Sequence, residues 1–233
     1  MRRIGLAVLV FAMSAAATGI AFAEEPTETT STETADATET TGSTGGQPAE
    51  VDPAEQPRSK IRNHFTKHVR QGGTVHVRGF VEPVAAGRRV EVQLGGREHS
   101  LRTGQKGGFH TKFGAGRHRT KRLRIAVLRD ELARGRTKNK RVHVYRGASA
   151  SWYGPGLYGN RLACGGRLRP STLGVAHKRL PCGSKVRLRY RGRGIVVRVI
   201  DRGPFVAGRE FDLTAATKRK LRFPDLGTVW ATR

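Results

Sequence analysis

The chain has 233 residues, of which 44 are Lys or Arg and 18 are Asp or Glu, so its formal net charge is +26. Hydrophobic residues make up 36% of the chain, and its one long apolar run lies at the N-terminus, which excludes a multispanning membrane protein. Two cysteines are too few for a disulfide-rich mini-protein.

The charge is unevenly distributed along the chain. Residues 24–57 hold nine Asp or Glu and no Lys or Arg, whereas residues 58–233 hold 42 Lys or Arg and nine Asp or Glu. The second stretch therefore carries a net charge of +33. Such a surplus predicts attraction to a polyanion, either nucleic acid or another anionic polymer.

The first 23 residues have the pattern of a secretory signal peptide. Arg2 and Arg3 precede an apolar run over 4–20, and Ala21-Phe22-Ala23 fits the small-x-small cleavage site. An uncleaved anchor helix is the alternative, because about 20 apolar residues can span a bilayer. We expect cleavage after Ala23, no transmembrane segment in the remaining chain, and a protein outside the cytoplasmic membrane.

Residues 24–71 are predicted to be a disordered acidic linker. Thr, Glu, Ala, Ser, Gly, Pro and Asp dominate residues 24–57, and no aromatic residue occurs there. This composition cannot bury enough apolar surface to offset the entropy lost on ordering. We interpret the segment as a solvated spacer, with electrostatic folding back onto the basic remainder as the alternative.

Residues 72–146 show the alternation of a small β-domain. Apolar side chains recur at every second position in four short runs separated by glycine-rich turns, at 75–77, 90–94, 123–127 and 142–144. The pattern predicts an immunoglobulin- or fibronectin-like sandwich. Seven histidines are scattered through residues 64–143 without ligand spacing, so we place them on polar strand faces and predict no metal site.

Residues 148–233 predict a second, mainly β module. Two alternating runs, 186–190 and 195–199, are joined through Arg191-Gly192-Arg193-Gly194 as a tight hairpin. A short helix over Ala215–Leu221 and a final strand around Val229 complete the module.

Four ordered segments of this module resemble a known family. They are Ala150–Gly156, Gly174–Pro181, Val199–Phe205 and Phe211–Ala216, and they resemble the double-psi β-barrel of the rare-lipoprotein-A (RlpA-like) septal lytic transglycosylases, a barrel shared with expansins. The resemblance implies a six-stranded barrel with one short helix and an all-β chain overall. It also implies peptidoglycan glycan strands as substrate, cleaved to leave 1,6-anhydromuramoyl ends, and no cofactor.

Asp201 and His177 are the predicted catalytic residues. Asp201 follows an apolar run at a strand end, where partial desolvation favours the protonated carboxyl that a general acid needs. The alternative from the residues is that Asp201 only caps the Arg-Gly-Pro turn. The resemblance places the catalytic Asp of the family at this position and pairs it with the equivalent of His177; a structural histidine bonded to a turn is the alternative for His177.

Four further residues are predicted to contact substrate. Tyr153 and Tyr158 lie among glycines and can present faces to sugar rings, and Arg202 adjoins Asp201. Asp212 matches the Phe-Asp of expansin-like proteins, although capping the following helix explains it more simply. With only four acids in the module, a one-carboxylate reaction fits better than a two-carboxylate hydrolysis.

Cys164 and Cys182 are the only cysteines and lie in a module that we expect to be exported. We predict a disulfide between them, because zinc binding with His177 would lack a fourth ligand.

The leading prediction is a secreted monomeric lytic transglycosylase of the cell wall, with Asp201 as acid and base. A noncatalytic expansin-like polysaccharide-binding protein is the alternative. Export favours anionic wall polymers over nucleic acid as the partner of the basic surface.

Overall fold

The computed structural model describes residues 55–233, and both the predicted signal peptide and residues 24–54 of the predicted linker lie outside this range. The described part is almost entirely β-structure, which confirms the all-β prediction. In chain order its elements are β1 Lys60–Phe65, β2 His68–Arg70, β3 Thr74–Glu82, β4 Arg89–Leu94, β5 Arg97–Arg102, β6 Gly108–Gly114, β7 Thr120–Val127, β8 Arg136–Tyr153, β9 Val175–Ala176, β10 Lys185–Tyr190, β11 Arg193–Asp201, β12 Phe211–Thr214, α1 Ala215–Leu221 and β13 Gly227–Thr232.

The first part of the fold, called the sandwich here, has two sheets around one core. One sheet has the strand order β1-β3-β6, and the other runs β5-β4-β7-β8 with β2 paired to β8. Both sheets contribute to the core, whose fully buried side chains include Val75, Val77, Val92, Leu123 and Ile125. The predicted apolar faces are therefore confirmed, while the immunoglobulin-like assignment remains a prediction.

Ordered structure begins earlier than the sequence pattern predicts. Strand β1 pairs antiparallel with β3, and β2 pairs parallel with β8, so extending the linker to residue 71 is wrong. The signal was weak because Ile61 is the only residue of β1 that is buried in the core, and polar side chains surround it in sequence.

The second part of the fold is a closed barrel of six strands. Around the ring the order is β8-β12-β9-β11-β10-β13, and β13 pairs with β8 to close it. The pairs β12–β8 and β11–β9 are parallel and the other four are antiparallel. The core of the barrel contains Val175, Leu188, Val199, Leu213 and Val229, all essentially inaccessible to solvent. The six-stranded barrel is thus confirmed.

One long strand joins the sandwich to the barrel. The first half of β8 pairs with β7 over residues 136–143, whereas residues 146–150 pair with β13 and residues 150–153 pair with β12. The predicted division at residues 146–148 therefore lies inside a continuous strand. The sequence has no Gly-Pro or Asn-Gly turn motif at this point, which agrees with a continuous strand.

The hairpin and the helix of the barrel match their predictions. Arg191 and Gly192 form a two-residue loop with φ of 41° and 83°, as the twist of a tight hairpin requires. Helix α1 covers Ala215–Leu221, as predicted. Its N-cap is Thr214, whose hydroxyl accepts a hydrogen bond from the Thr217 N–H, so the simpler interpretation of Asp212 as the cap is wrong.

The seven histidines between residues 64 and 143 were all predicted to lie on polar strand faces, and this prediction is wrong for His143. His143 is 4% exposed and stacks on His68 with a ring-centroid separation of 5.4 Å. Its position on β8, where the sandwich meets the barrel, buries a face that a free sheet would expose to solvent. Within residues 55–233 no helix is long and apolar enough to cross a membrane.

Candidate active site

Two carboxylates lie in register across neighbouring barrel strands. Asp201 at the end of β11 pairs with Ala176 of β9, and Ala176 pairs with Asp212 of β12. With strands roughly 4.8 Å apart, the Cα atoms of the two aspartates are separated by roughly 9–10 Å. The next residue in this row is Ser151 of β8. The fold thus gathers residues that are up to 61 positions apart in sequence.

Asp201 is half-buried and held by backbone donors. Its Oδ1 accepts hydrogen bonds from the N–H groups of Ala163 and Arg202, both at 2.9 Å. The bond to Arg202 is the turn-capping contact that the sequence offered as the alternative role. Both bonds are made to Oδ1, which leaves Oδ2 for a proton or for a substrate atom. The capping role and a catalytic role are therefore compatible.

The hydroxyl of Tyr153 is buried beside this carboxylate. Among the described residues it has no hydrogen-bond partner of ordinary geometry. Burial raises the pKa of Tyr153, and the charge of Asp201, the close approach of the hydroxyl to the Asp201 side chain and the charge of Asp212 act in the same direction. The hydroxyl therefore stays protonated at any physiological pH. Because protein atoms enclose it, the Asp201 carboxylate is the acceptor within its reach.

Asp212 is oriented by polar neighbours. The Ser151 hydroxyl donates to Asp212 Oδ1, and Arg209 Nη1 donates to Ser151 Oγ at 3.2 Å. Asp212 lies one strand from Ser151 and contributes to the field around Tyr153, so it faces the same region as Asp201. The prediction that it contacts substrate is compatible with this position.

His177 adjoins Asp201 through the backbone, its N–H donating to the Asp201 carbonyl at 3.2 Å. Its ring Nδ1 accepts the N–H groups of Arg179 and Leu180, both at 3.0 Å, so the ring proton is on Nε2. Burial lowers the pKa of His177; the charge of Glu210 opposes this and that of Arg146 adds to it.

The ring of His177 thus makes a contact with its turn, as in the structural role that the sequence offered as the alternative, and its catalytic role remains a prediction. Within residues 55–233 no hydrogen bond joins the His177 ring to the Asp201 carboxylate.

Glu210 is one of the four acidic residues of the barrel part, and the sequence pattern predicted no role for it. Its carboxylate accepts two hydrogen bonds from the Arg146 guanidinium, one of them 2.6 Å from Nη1 to Oε2. Its Oε1 also lies 3.8 Å from His177 Nε2. These groups line a cavity of about 190 Å³ with Phe211, on which the His177 ring packs. The available signal was the position of Glu210 directly before the Phe211-Asp212 motif.

Arg202 is used within its own loop. Its Nη1 donates to the carbonyls of His177 and Leu180 at 3.2 and 2.9 Å, and its Nη2 donates to Cys182 Sγ at 3.1 Å. These bonds fix the segment between β9 and β10 against the end of β11. Contact of Arg202 with substrate remains a prediction, and its observed bonds give it a positioning role.

Two aromatic side chains of the barrel part are exposed. Tyr158 is 37% exposed, and Phe205, four residues after Asp201, is 85% exposed. Phe205 was part of the motif but was not predicted to contact substrate. Trp152 is tied down, because its Nε1 donates to Asp225 at 2.7 Å and the Lys218 ammonium lies 3.9 Å from its ring centroid. Tyr158 and Phe205 are therefore the better candidates for stacking on sugar rings.

The predicted disulfide between Cys164 and Cys182 is present. The N–H of Cys164 donates to the Ile200 carbonyl at 3.2 Å, directly before Asp201. The disulfide therefore joins the segment before Gly165 to the loop after His177, both of which contact Asp201 or Arg202.

Comparison with known proteins identifies the barrel. Residues 145–231 match the double-psi β-barrel family described as lytic transglycolase. Over 78 residues the chain is 45% identical to the probable endolytic peptidoglycan transglycosylase RlpA of Synechocystis, covering 33% of this chain and 24% of that protein. It is 37% identical over 94 residues to the endolytic peptidoglycan transglycosylase RlpA of Neisseria meningitidis serogroup A, covering 40% of this chain and 39% of the relative.

A third relative is the RlpA of Pseudomonas aeruginosa, 40% identical over 83 residues, with 35% of this chain and 24% of the relative covered. Among solved structures, the Streptomyces papain inhibitor aligns at 25% identity with a TM-score of 0.31, over 38% of this chain and 94% of its own. The chain spans at most about two fifths of the length of these three curated relatives. Residues 145–231 form an RlpA-like double-psi β-barrel domain.

Proposed function

We propose that this protein cleaves the glycan strands of peptidoglycan as a lytic transglycosylase, outside the cytoplasmic membrane, with Asp201 as the general acid and base. The observation that carries the proposal is the half-buried Asp201 carboxylate, which two backbone N–H groups hold through Oδ1 beside the protonated Tyr153 hydroxyl. The names of the relatives as peptidoglycan transglycosylases support the same substrate class.

The reaction needs one group that first donates and then accepts a proton. Asp201 protonated on Oδ2 donates that proton to the glycosidic oxygen as the bond from C1 to this oxygen breaks. The resulting carboxylate takes the proton of the C6 hydroxyl on the same muramoyl residue, whose oxygen forms the new bond to C1. The products are a 1,6-anhydromuramoyl end and a free hydroxyl on the leaving sugar, and no water is consumed.

The surrounding residues have distinct proposed roles. Tyr153 is a positioning residue for the Asp201 carboxylate, because its hydroxyl remains protonated and is buried beside that group. Asp212 and Tyr158 bind the glycan, and Phe205 stacks on a neighbouring sugar ring. His177 is a positioning residue, since its Nδ1 holds the turn that its main chain connects to Asp201.

The test measures product release from purified peptidoglycan by the wild-type protein, by Asp201→Asn and by Tyr153→Phe. We expect Asp201→Asn to lower the rate by about 100-fold or more, the usual effect of losing a general acid and base. Tyr153→Phe removes the hydroxyl that positions the Asp201 carboxylate, and the rate should fall about tenfold.

Glu98→Gln is the charge-matched control, because Glu98 is an exposed residue of β5 in the sandwich. It should release products at the wild-type rate. Absence of products from the wild-type protein, or equal rates for Asp201→Asn and wild type, would refute the mechanism. Glycan binding without products in every protein would instead support the noncatalytic expansin-like alternative.

A further inference from the structure

A second cavity lies on the molecule away from Asp201. It has a volume of about 250 Å³ and is formed by β2 of the sandwich together with β13 and the β10–β11 hairpin of the barrel. We call it the arginine cavity, because Arg70, Arg189 and Arg191 line it together with Tyr145, Trp230 and His68. None of these six residues belongs to the proposed active site.

The three arginines are held in place without a counterion. Arg70 lies over the Trp230 ring at 4.1 Å from the centroid, and Arg189 Nη2 donates to the Gly192 carbonyl at 3.0 Å. Arg191 lies 5.6 Å from the Tyr190 ring centroid. Within residues 55–233 none of the three takes part in an ion pair. The cavity therefore presents three positive charges without a carboxylate partner, from the half-buried Arg189 and the exposed Arg70 and Arg191.

The positive charge around the arginine cavity also lowers the pKa values of His68 and His143. The pKa of His68 is lowered to about 4, first by burial and then by the charges of Arg189, Lys67 and Arg187. His143, stacked on His68, also has a pKa of about 4, caused first by burial and then by Arg187. At neutral pH both rings are uncharged, so the positive charge of the cavity comes from its arginines.

We propose that the arginine cavity binds the phosphate groups of a phosphodiester-linked wall polymer. Guanidinium groups match phosphate oxygens with paired N–H donors, and three of them converge here from both parts of the fold. A cavity of about 250 Å³ accommodates an anionic group and its flanking atoms rather than a large ligand. This proposal is independent of glycan cleavage and adds a retention site on the wall.

The cavity leaves little aromatic surface available for stacking, which disfavours nucleic acid as its ligand. Single-stranded nucleic acid is held largely by stacking of bases on aromatic side chains. Arg70 covers a face of Trp230, and Tyr145 is 2% exposed. The cavity therefore offers guanidinium groups to phosphates and little aromatic surface to bases.

The experiment measures the Kd of the purified protein for labelled poly(glycerol phosphate) of defined length, at about 0.15 M salt, where long-range attraction is screened. The test variant is Arg70→Gln/Arg189→Gln/Arg191→Gln. Its matched control, Arg78→Gln/Lys112→Gln/Arg136→Gln, removes the same charge from exposed sites on β3, β6 and β8.

We expect the test variant to weaken binding about tenfold or more and to reduce the slope of log Kd against log salt, because phosphate contacts release counterions. The control variant should change Kd by less than about twofold, as expected for screened distant charges. If the triple variant does not fold, Arg191→Gln alone, at the exposed hairpin loop, should weaken binding about threefold through loss of one exposed phosphate contact.

Equal weakening by the test and control variants would overturn the proposal in favour of diffuse surface charge. Binding of poly-L-glutamate of equal charge as tightly as the phosphate polymer would overturn the assignment to phosphate. Tighter binding of a single-stranded oligonucleotide than of poly(glycerol phosphate), lost in the test variant, would reassign the cavity to nucleic acid.

Discussion

The Cys164–Cys182 disulfide should contribute measurably to the stability of the barrel. It closes a loop of 18 residues, for which the loss of unfolded-chain entropy corresponds to about 3 kcal/mol. The loop contains β9, which pairs with both β11 and β12. For a protein of this size, Cys164→Ala/Cys182→Ala should lower Tm by about 6–12 °C.

The assay is denaturant unfolding of the wild-type protein and the double variant, followed by far-ultraviolet circular dichroism and by tryptophan fluorescence. The free energy of unfolding should be about 3 kcal/mol lower in the variant. Reductant should reproduce this loss in the wild-type protein and leave the double variant unchanged, which separates loss of the covalent link from loss of packing. A difference of less than about 0.5 kcal/mol, within the error of such extrapolations, would refute the reasoning.

Three other predictions concern stability. Between pH 7 and pH 4.5 the unfolding free energy should fall by up to about 5 kcal/mol, because His68 and His143 each have a pKa of about 4 when folded and about 6.5 when unfolded. The unfolded chain then binds more protons as pH drops below 6.5, and solvent screening at the part-exposed His68 reduces its share. Unchanged pH dependence in His68→Gln/His143→Gln, measured by urea titration, would contradict this. Gly174→Ala should cost about 1–3 kcal/mol of unfolding free energy, because its Cβ would overlap the Ile200 side chain, and a Tm equal to wild type would show that this region can relax. Tyr153→Phe should lower the unfolding free energy by about 0.5–1.5 kcal/mol, since the buried hydroxyl loses its contact with the Asp201 carboxylate; a value equal to wild type would show that this contact does not stabilise the fold.

Periodicity predicted some of the strands whose burial alternates. The alternation at Val75 and Val77 placed β3 correctly, and Arg191-Gly192 placed the hairpin. Strands β1, β2, β5 and β6 were missed. Strand β1 buries only Ile61 in the core and no side chain of β5 is buried, whereas β6 alternates regularly but lies among glycines that the pattern assigned to turns. The continuity of β8 could not be inferred, because pairing on both halves of a strand depends on distant residues.

The candidate site was predicted only in part. The sequence motif indicated Asp201, and its residues alone suggested the turn-capping bond to the Arg202 N–H. The approach of Tyr153 and Asp212 to Asp201 arises from the register of four barrel strands, which the local pattern does not specify. The Arg146–Glu210 ion pair likewise joins residues 64 positions apart, so neither partner carried a local signal.

The most direct test of the central proposal is digestion of peptidoglycan by the wild-type protein in oxygen-18-labelled water, with mass spectrometry of the released ends. Transfer to the C6 hydroxyl consumes no water, so we predict anhydromuramoyl ends that lack the isotope and that disappear in Asp201→Asn. Reducing ends that carry oxygen-18 would contradict the one-carboxylate mechanism and would indicate hydrolysis assisted by a second carboxylate, for which Asp212 is the neighbouring candidate.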